Sequence, residues 1–403
     1  MTAVMQGVRI LEVAEHTFVP AASAILADLG AEVIKIEHAE RGDAMRGLAS
    51  SGTVSIGGDV HVLLEHSNRG KQSLGLDLTS EDGLDILYRL AATCDVFLTN
   101  KLPSVRTKLK IDLDDIRAHH ADIIYVRGTG QGPRGPDADR GSYDSLAYWC
   151  RAGIALGTKQ HDSVPPPPAP AFGDSIGAMT IAGGIMGALF HRERTGEATT
   201  LDVSLLHAGM WSMGAAMALS LQFQRGWTAP PPGSSMGNPL VGSYRTKDDR
   251  FVSLCCLQAA KYWPEACQVI GRPEFADDER FADTASITAN VAAASEVVAA
   301  AFAEHTLDEW RERLAQFSGQ WAVVQDTLEA ANDAQTVANG YLGDCATASG
   351  TQFQLVTAPF QYDGEPAPPK RAPEFNEHGD AILETLGLDT EAIVDLKVRG
   401  VVA

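Results

Sequence analysis

Two short β-branched runs near the start, Val8–Val13 (VRILEV) and Glu32–Glu37 (EVIKIE), constrain this chain more than any other feature. Between them lies the helical stretch Ala21–Leu29, closed by Gly30, so the segment reads as a βαβ unit. The pattern continues. Thr79-x-x-Asp82 has the form of a capping box opening a helix to about Ala92, and Asp95–Leu98 (DVFL) and Ile123–Val126 (IIYV) read as further buried strands. Alternating strands and helices of this kind predict a Rossmann-like α/β domain with a mostly parallel sheet covered on both faces.

Beyond the sheet, Val164–Ala171 (VPPPPAPA) can be neither helix nor central strand, because its prolines lack backbone donors and fix φ. It reads as a stiff connector leading to Phe172-Gly173-Asp174-Ser175. Ile176–His191 follows as an apolar helix rich in small residues, ended by cations and Gly196. Ile176–Phe190 is too short to span a bilayer, and Leu205–Leu221 carries His207, Ser212 and Ser220, so both are expected as buried helices, the second at an interface. A Pro/Gly patch at Ala229–Pro239, the strand-like Phe251–Leu257 and an Ala-rich helical stretch over Ala282–Phe317, with the capping box Thr306-x-x-Glu309, mark a composition shift. With 403 residues the chain is long enough for two domains. The expected division is a large domain over 1–220, completed by 325–403, and a smaller α+β domain over 225–322.

Composition removes several functions. Against 32 Lys and Arg stand 52 Asp and Glu, a net charge of −20 that disfavours nucleic acid and anionic membrane partners and obliges any anionic ligand to meet a local basic pocket. Six cysteines without a C-x-x-C pair signal neither a zinc site nor a disulfide framework, the histidines show no ligand spacing, and no metal is expected. With no leader pattern at Met1–Ile10, a cytoplasmic protein is expected. The first strand is followed by Ala14-Glu15-His16-Thr17, without the glycines of a dinucleotide fingerprint, and there is no Walker loop, H-E-x-x-H or G-x-S-x-G.

A series of short motifs instead carries a resemblance in its order and spacing. These are Val33–Glu37 with Gly42-Asp43, Asn68-Arg69-Gly70-Lys71-Gln72-Ser73 leading to Leu76-Asp77-Leu78, Tyr143-Asp144, Gly173-Asp174, and Arg192–Gly196 with Asp202-Val203-Ser204. Together with Pro239–Asp249, Tyr262-Trp263-Pro264 and Ala372–Leu386, they make nearly the whole chain similar to the class III CoA-transferases. That family includes formyl-CoA:oxalate CoA-transferase, carnitine CoA-transferases and α-methylacyl-CoA racemase.

The resemblance implies that Asp174 is a nucleophilic carboxylate that forms a mixed anhydride and then an aspartyl-CoA thioester. Its place ahead of an apolar helix fits a charge held ionised by the helix N-terminus, with Gly173 leaving room for the thioester; the same place would suit a plain N-cap. Coenzyme A enters as substrate, with no tightly bound cofactor, and the other partner is a small carboxylic acid. CoA contacts carried over from the family fall at His16, Thr17, His38, Asn100, Lys101, Arg127, Thr129 and Tyr143, with Arg69 and Lys71 as local positive charge. His38 stands where family members often have arginine, and Asn100-Lys101-Leu102-Pro103-Ser104 replaces the common Asn-Phe/Tyr-Arg-Pro-Gly, leaving Lys101, Arg106 or Lys108 to supply phosphate charge. Gly233 and Gly237 bracket the candidate lid loop, with Gln258 on the substrate side. The family also implies an interlocked homodimer. Two other readings stay open. A racemase would need a histidine where Tyr143 stands, since tyrosine, with a pKa of about 10, is a poor base. A CoA-binding protein without turnover is suggested by His38, Leu102 and the thin glycine loop.

Overall fold

The computed structural model describes residues 2–50, 55–56, 58–160, 162–229 and 237–403. Two compact units are distinguishable: one made of 1–159, 165–227 and 335–403, the other of 160–164 and 228–334.

The first unit is built on six strands: β1 (Arg9–Val13), β2 (Glu32–His38), β3 (Gln72–Leu76), β4 (Val96–Thr99), β5 (Ile124–Thr129) and β6 (Thr200–Ser204). Their order is β3-β2-β1-β4-β5-β6 and every neighbouring pair is parallel. The order reverses between β1 and β4, so the loops leaving these strands diverge and open a crevice at their carboxyl ends. Alternate residues face opposite sides. Ile10 and Val33 pack under the helices Phe18–Asp28 and Phe172–Thr195, while Leu11, Val13, Ile34 and Ile36 pack against Glu81–Ala91 and the C-terminal helices Gly379–Thr385 and Thr390–Val398.

One row of this sheet is polar although fully buried. Glu12 lies opposite Lys35, and Lys35 opposite Ser73, beneath the helix Phe18–Asp28. Lys35 Nζ reaches Glu12 at 2.8 Å and Asp43 at 2.7 Å and donates to the carbonyl of Ala14 at 2.9 Å. Lys71 Nζ meets the other Glu12 oxygen at 2.8 Å and donates to the Pro20 carbonyl and to Asn68 Oδ1. A buried charge is tolerable only when paired and hydrogen-bonded, and these are.

Several local expectations are revised. The long helix runs over Phe172–Thr195, four residues earlier at its start and four later at its end than the apolar run, and ends on Gly196 in the left-handed conformation. Among the described residues it alone is long and apolar enough to cross a membrane, but its small-residue face, Gly177, Ala178, Ile181, Ala182 and Ile185, is buried in the core. The helix after β3 is capped by Ser80, whose Oγ accepts from Gly83, because Thr79 is engaged with Asp77. The apolar stretch after β6 forms two helices, Leu205–Ser212 and Gly214–Phe223, and the second has no buried residue in the single chain.

The second unit has its own core around Trp263, Phe302 and Trp310 and an antiparallel sheet of β7 (Val241–Arg245), β8 (Phe251–Cys255) and β9 (Trp321–Val323). The capping box of Thr306 and Glu309 is formed in both directions.

Candidate active site

The loop leaving β1 enters the crevice with His16 in the left-handed region (φ 67°), and its N–H donates to Asp43 Oδ1 at 3.0 Å. Asp43 also receives the Met45 N–H and pairs with Lys35, so the buried row of charges ends on the backbone of this loop. Lysine and hydrogen-bond donors around Asp43 hold its carboxyl below the ordinary range despite burial. Across the crevice Asn100 stitches the two diverging loops: its Nδ2 donates to the Glu15 carbonyl at 2.7 Å, and its Oδ1 accepts the Glu15 N–H at 3.2 Å.

Asp174 sits in the first turn of the long helix, which starts from Ala171 at φ 55°. It is therefore inside the helix and not its N-cap, because Phe172 and Gly173 already have helical geometry. The turn's donors are mostly engaged: the Phe172 N–H bonds to Ala169, Gly173 to Asp144 Oδ2 at 3.0 Å and Ser175 to Ala171. So the expectation that free N–H groups hold Asp174 ionised is revised. Burial first, and then the like charge of Asp144, push its carboxyl up to about 8. Gly173 also has a different reason to be small. A Cβ there would fall 2.5 Å from the Tyr148 ring, so the glycine admits that ring and not a ligand.

Asp144 was not among the sequence candidates, although it lies beside Tyr143 in a recognised motif. It caps the seven-residue π-helix Ser145–Arg151 through the Ser145 N–H and reaches 29 residues along the chain to the Gly173 N–H. π-helical turns inside proteins concentrate at functional sites.

Three cavities line up along the carboxyl edge of the sheet through shared residues. One of about 370 Å³ is lined by His38, Arg41, Lys101 and Lys108 together with Glu15 and Asp77. The next, about 490 Å³, shares Glu15 and Lys101 with it and adds His16, Asn100, Thr129, Tyr143 and Asp174. The third, about 470 Å³, shares His16, Tyr143 and Asp174 and adds Thr17, Asp144, Met45, Leu48, Leu63 and Pro167–Ala171. His16 and Tyr143 meet edge to face, ring centroids 5.7 Å apart. Lys101 is paired with Glu15 at 2.9 Å.

The remaining candidates lie elsewhere. Arg69 and Lys71 are buried and bound to Asp28 and Glu12, so they build the core and line none of these cavities. Arg127 is held by Asp202 through two bonds of 2.6 and 2.8 Å on the sheet. Arg106 turns inward to Asp112 and the Lys101 carbonyl, leaving Arg41, which sequence reasoning missed, beside Lys101 and Lys108. Gly237, at φ 76°, and Gln258 belong to the second unit, and Gly233 lies outside the described residues. Among the described residues no group of three or more His, Cys, Asp or Glu side chains is arranged to hold a metal ion.

Comparison with known proteins matches residues 5–379 to the family model described as "CoA-transferase family III". The chain is 29% identical over 399 residues to "(R)-2-hydroxy-4-methylpentanoate CoA-transferase" of Clostridioides difficile, covering 99% of each chain. It is 28% identical over 409 residues to "Succinyl-CoA:glutarate CoA-transferase" of Mus musculus, covering 99% of this chain and 90% of that one. The solved structure of "a CAIB/BAIF family protein from Brucella suis" superposes with a TM-score of 0.79 at 26% identity, over 96% of this chain and all of that one.

Proposed function

This chain belongs to CoA-transferase family III, and from that premise we propose that it moves CoA from an acyl-CoA to a free carboxylic acid through covalent intermediates on Asp174. The observation that carries the reading is that Asp174 lines two adjoining cavities, one continuous with a cation-bearing cavity at the carboxyl ends of β2 and β4.

In this reading the CoA phosphates take the cavity of His38, Arg41, Lys101 and Lys108, the local basic pocket that a chain of net charge −20 requires. The pantetheine arm runs past Asn100 and Thr129, and the thioester reaches Asp174 between His16 and Tyr143. The Asp174 carboxylate attacks the thioester carbonyl and expels CoA thiolate, giving a mixed anhydride. The thiolate attacks the aspartyl carbonyl, releasing the donor acid and leaving an aspartyl-CoA thioester. The acceptor carboxylate then attacks that thioester, and the expelled thiolate returns to the acceptor's acyl carbon, restoring Asp174. Each bond broken is matched by one of similar energy, so transfer runs in both directions.

A carboxyl shifted to about 8 is a stronger nucleophile once ionised, because it is more basic. Its half-buried position also limits the water that would hydrolyse the anhydride. Exposed apolar side chains on the two helices after β6, Met210, Trp211, Leu219, Leu221 and Phe223, support a homodimer in which a second copy covers them. The six unpaired cysteines support a reducing, cytoplasmic setting.

The test is mass spectrometry after incubation with a panel of acyl-CoAs and hydroxylamine trapping. A hydroxamate on Asp174, missing from Asp174→Ala, is the expected result, with transfer falling at least roughly a thousandfold in the variant. An Asp174→Ala protein that still transfers CoA at the normal rate would refute the covalent role.

A further inference from the structure

We propose that the acid exchanged on Asp174 is a monocarboxylate with an apolar body, and that acids bearing a second carboxylate are rejected by the cavity that receives the acyl group. This rests on the reading of Asp174 as the acyl-accepting carboxylate and adds what that reading leaves open, since the relatives named above act on acids of both kinds.

The cavity of about 470 Å³ lies beyond Asp174 on the side away from the cationic cavity. Its apolar wall is Met45, Leu48, Leu63 and the proline-rich connector at Pro167, Pro168 and Pro170. Prolines offer no N–H to a carboxylate, Met45, Leu48 and Leu63 are hydrocarbon or thioether, and the hydroxyls of Thr17, Ser50, Tyr143 and Ser145, which also line the cavity, carry hydrogen-bonding capacity but no charge. No lysine or arginine lines it among the described residues. Its charged groups are Asp144 and Asp174 themselves. Among the described residues His16 is its single basic side chain, at the boundary with the neighbouring cavity, where its ring stands against Tyr143.

Much of the backbone at the start of the long helix is already engaged. The Phe172, Gly173 and Ser175 N–H groups of the helix's first turn are already donated within the protein, and both Asp144 oxygens are occupied as acceptors. A distal carboxylate would enter a partly desolvated cavity beside two carboxyl groups with no fixed cation to pair with, and an unpaired buried charge is strongly disfavoured. An alkyl or phenyl body gains by covering the same wall. The shift of Asp174 upward is a sign of the same environment, which already resists one negative charge.

The experiment uses the purified full chain at pH 8 and thioesters matched in length: 4-methylpentanoyl-CoA and 3-phenylpropanoyl-CoA against succinyl-CoA and glutaryl-CoA. The rate of Asp174 labelling is read by mass spectrometry, and the affinity of each thioester for Asp174→Asn by calorimetry. The apolar thioesters are expected to label at least roughly tenfold faster and to bind at least roughly tenfold tighter. Leu63→Arg, which places a cation in the wall, is expected to narrow or reverse both ratios. Equal or faster labelling by succinyl- or glutaryl-CoA overturns the inference while leaving the covalent reading intact. If no thioester labels Asp174, the covalent reading falls, and the affinity ratio by itself decides the pocket's preference: tighter binding of the apolar pair upholds it, equal binding overturns it.

Discussion

Asp174 illustrates how a single side chain is set by neighbours distant in sequence. Its candidacy comes from the family resemblance, since Gly173-Asp174 before an apolar run suits a plain N-cap equally, and its electrostatics were not legible because they depend on Asp144 and on donors that the fold had already spent. With a folded-state value of about 8 against roughly 3.9 for an unfolded aspartate, the native protein binds more protons than the unfolded chain between those two pH values. Stability from this residue therefore falls as pH rises through that window, and the cost is complete above about 8. Asp174→Asn is expected to raise the melting temperature by a few degrees at pH 9 and to leave it nearly unchanged at pH 4. The same protonation makes labelling of wild-type Asp174 rise with pH from 6 and level off above about 8, which a stopped-time labelling series up to pH 9 would check. A flat profile would be incompatible with the shift. Gly173 was legible as a special position for the wrong reason, since the Tyr148 ring that fills its side arrives from a π-helix no local pattern announces.

At the level of elements, the four strands with clean β-branched runs were readable, and β3 (QSLGL) and β6 (TLDVS) were not. Both carry polar residues that normally argue against a buried strand. Ser73 in β3 and Lys35 in β2 are tolerated because they belong to a row of ion pairs and hydrogen bonds crossing the sheet. Such a row is costly to interrupt on one side only. Lys35→Met leaves Glu12 with Lys71 alone and Asp43 without its cation, and is expected to destabilise the protein by about 3–5 kcal/mol in urea unfolding. A loss below about 1 kcal/mol would mean that the row contributes little. Because Asp43 also holds the His16 N–H, the surviving folded fraction should show slower Asp174 labelling.

For the whole molecule, the alternation of runs made a parallel α/β sheet readable, while its order β3-β2-β1-β4-β5-β6, which puts the crevice between β1 and β4, was not. The apolar stretch after β6, expected as a buried helix at an interface, forms two helices, of which Gly214–Phe223 has no fully buried residue within one chain. A surface that apolar is expected to be covered, so light scattering should return twice the 42.9 kDa of a single chain. Leu219→Lys with Phe223→Lys is expected to shift the mass toward one chain. A wild-type protein that scatters as 42.9 kDa would leave the face uncovered and the proposed dimer unsupported.

The left-handed backbone at His16 bears on engineering. Glycine and asparagine adopt φ 67° more readily than histidine does, so exchanging His16 for either relieves a conformational cost, while most other residues add one. Activity lost in such a variant can then be charged to the imidazole and not to a disturbed loop. Position 16 is thus a place where the imidazole can be removed, by glycine or asparagine, without forcing the loop into a less comfortable shape.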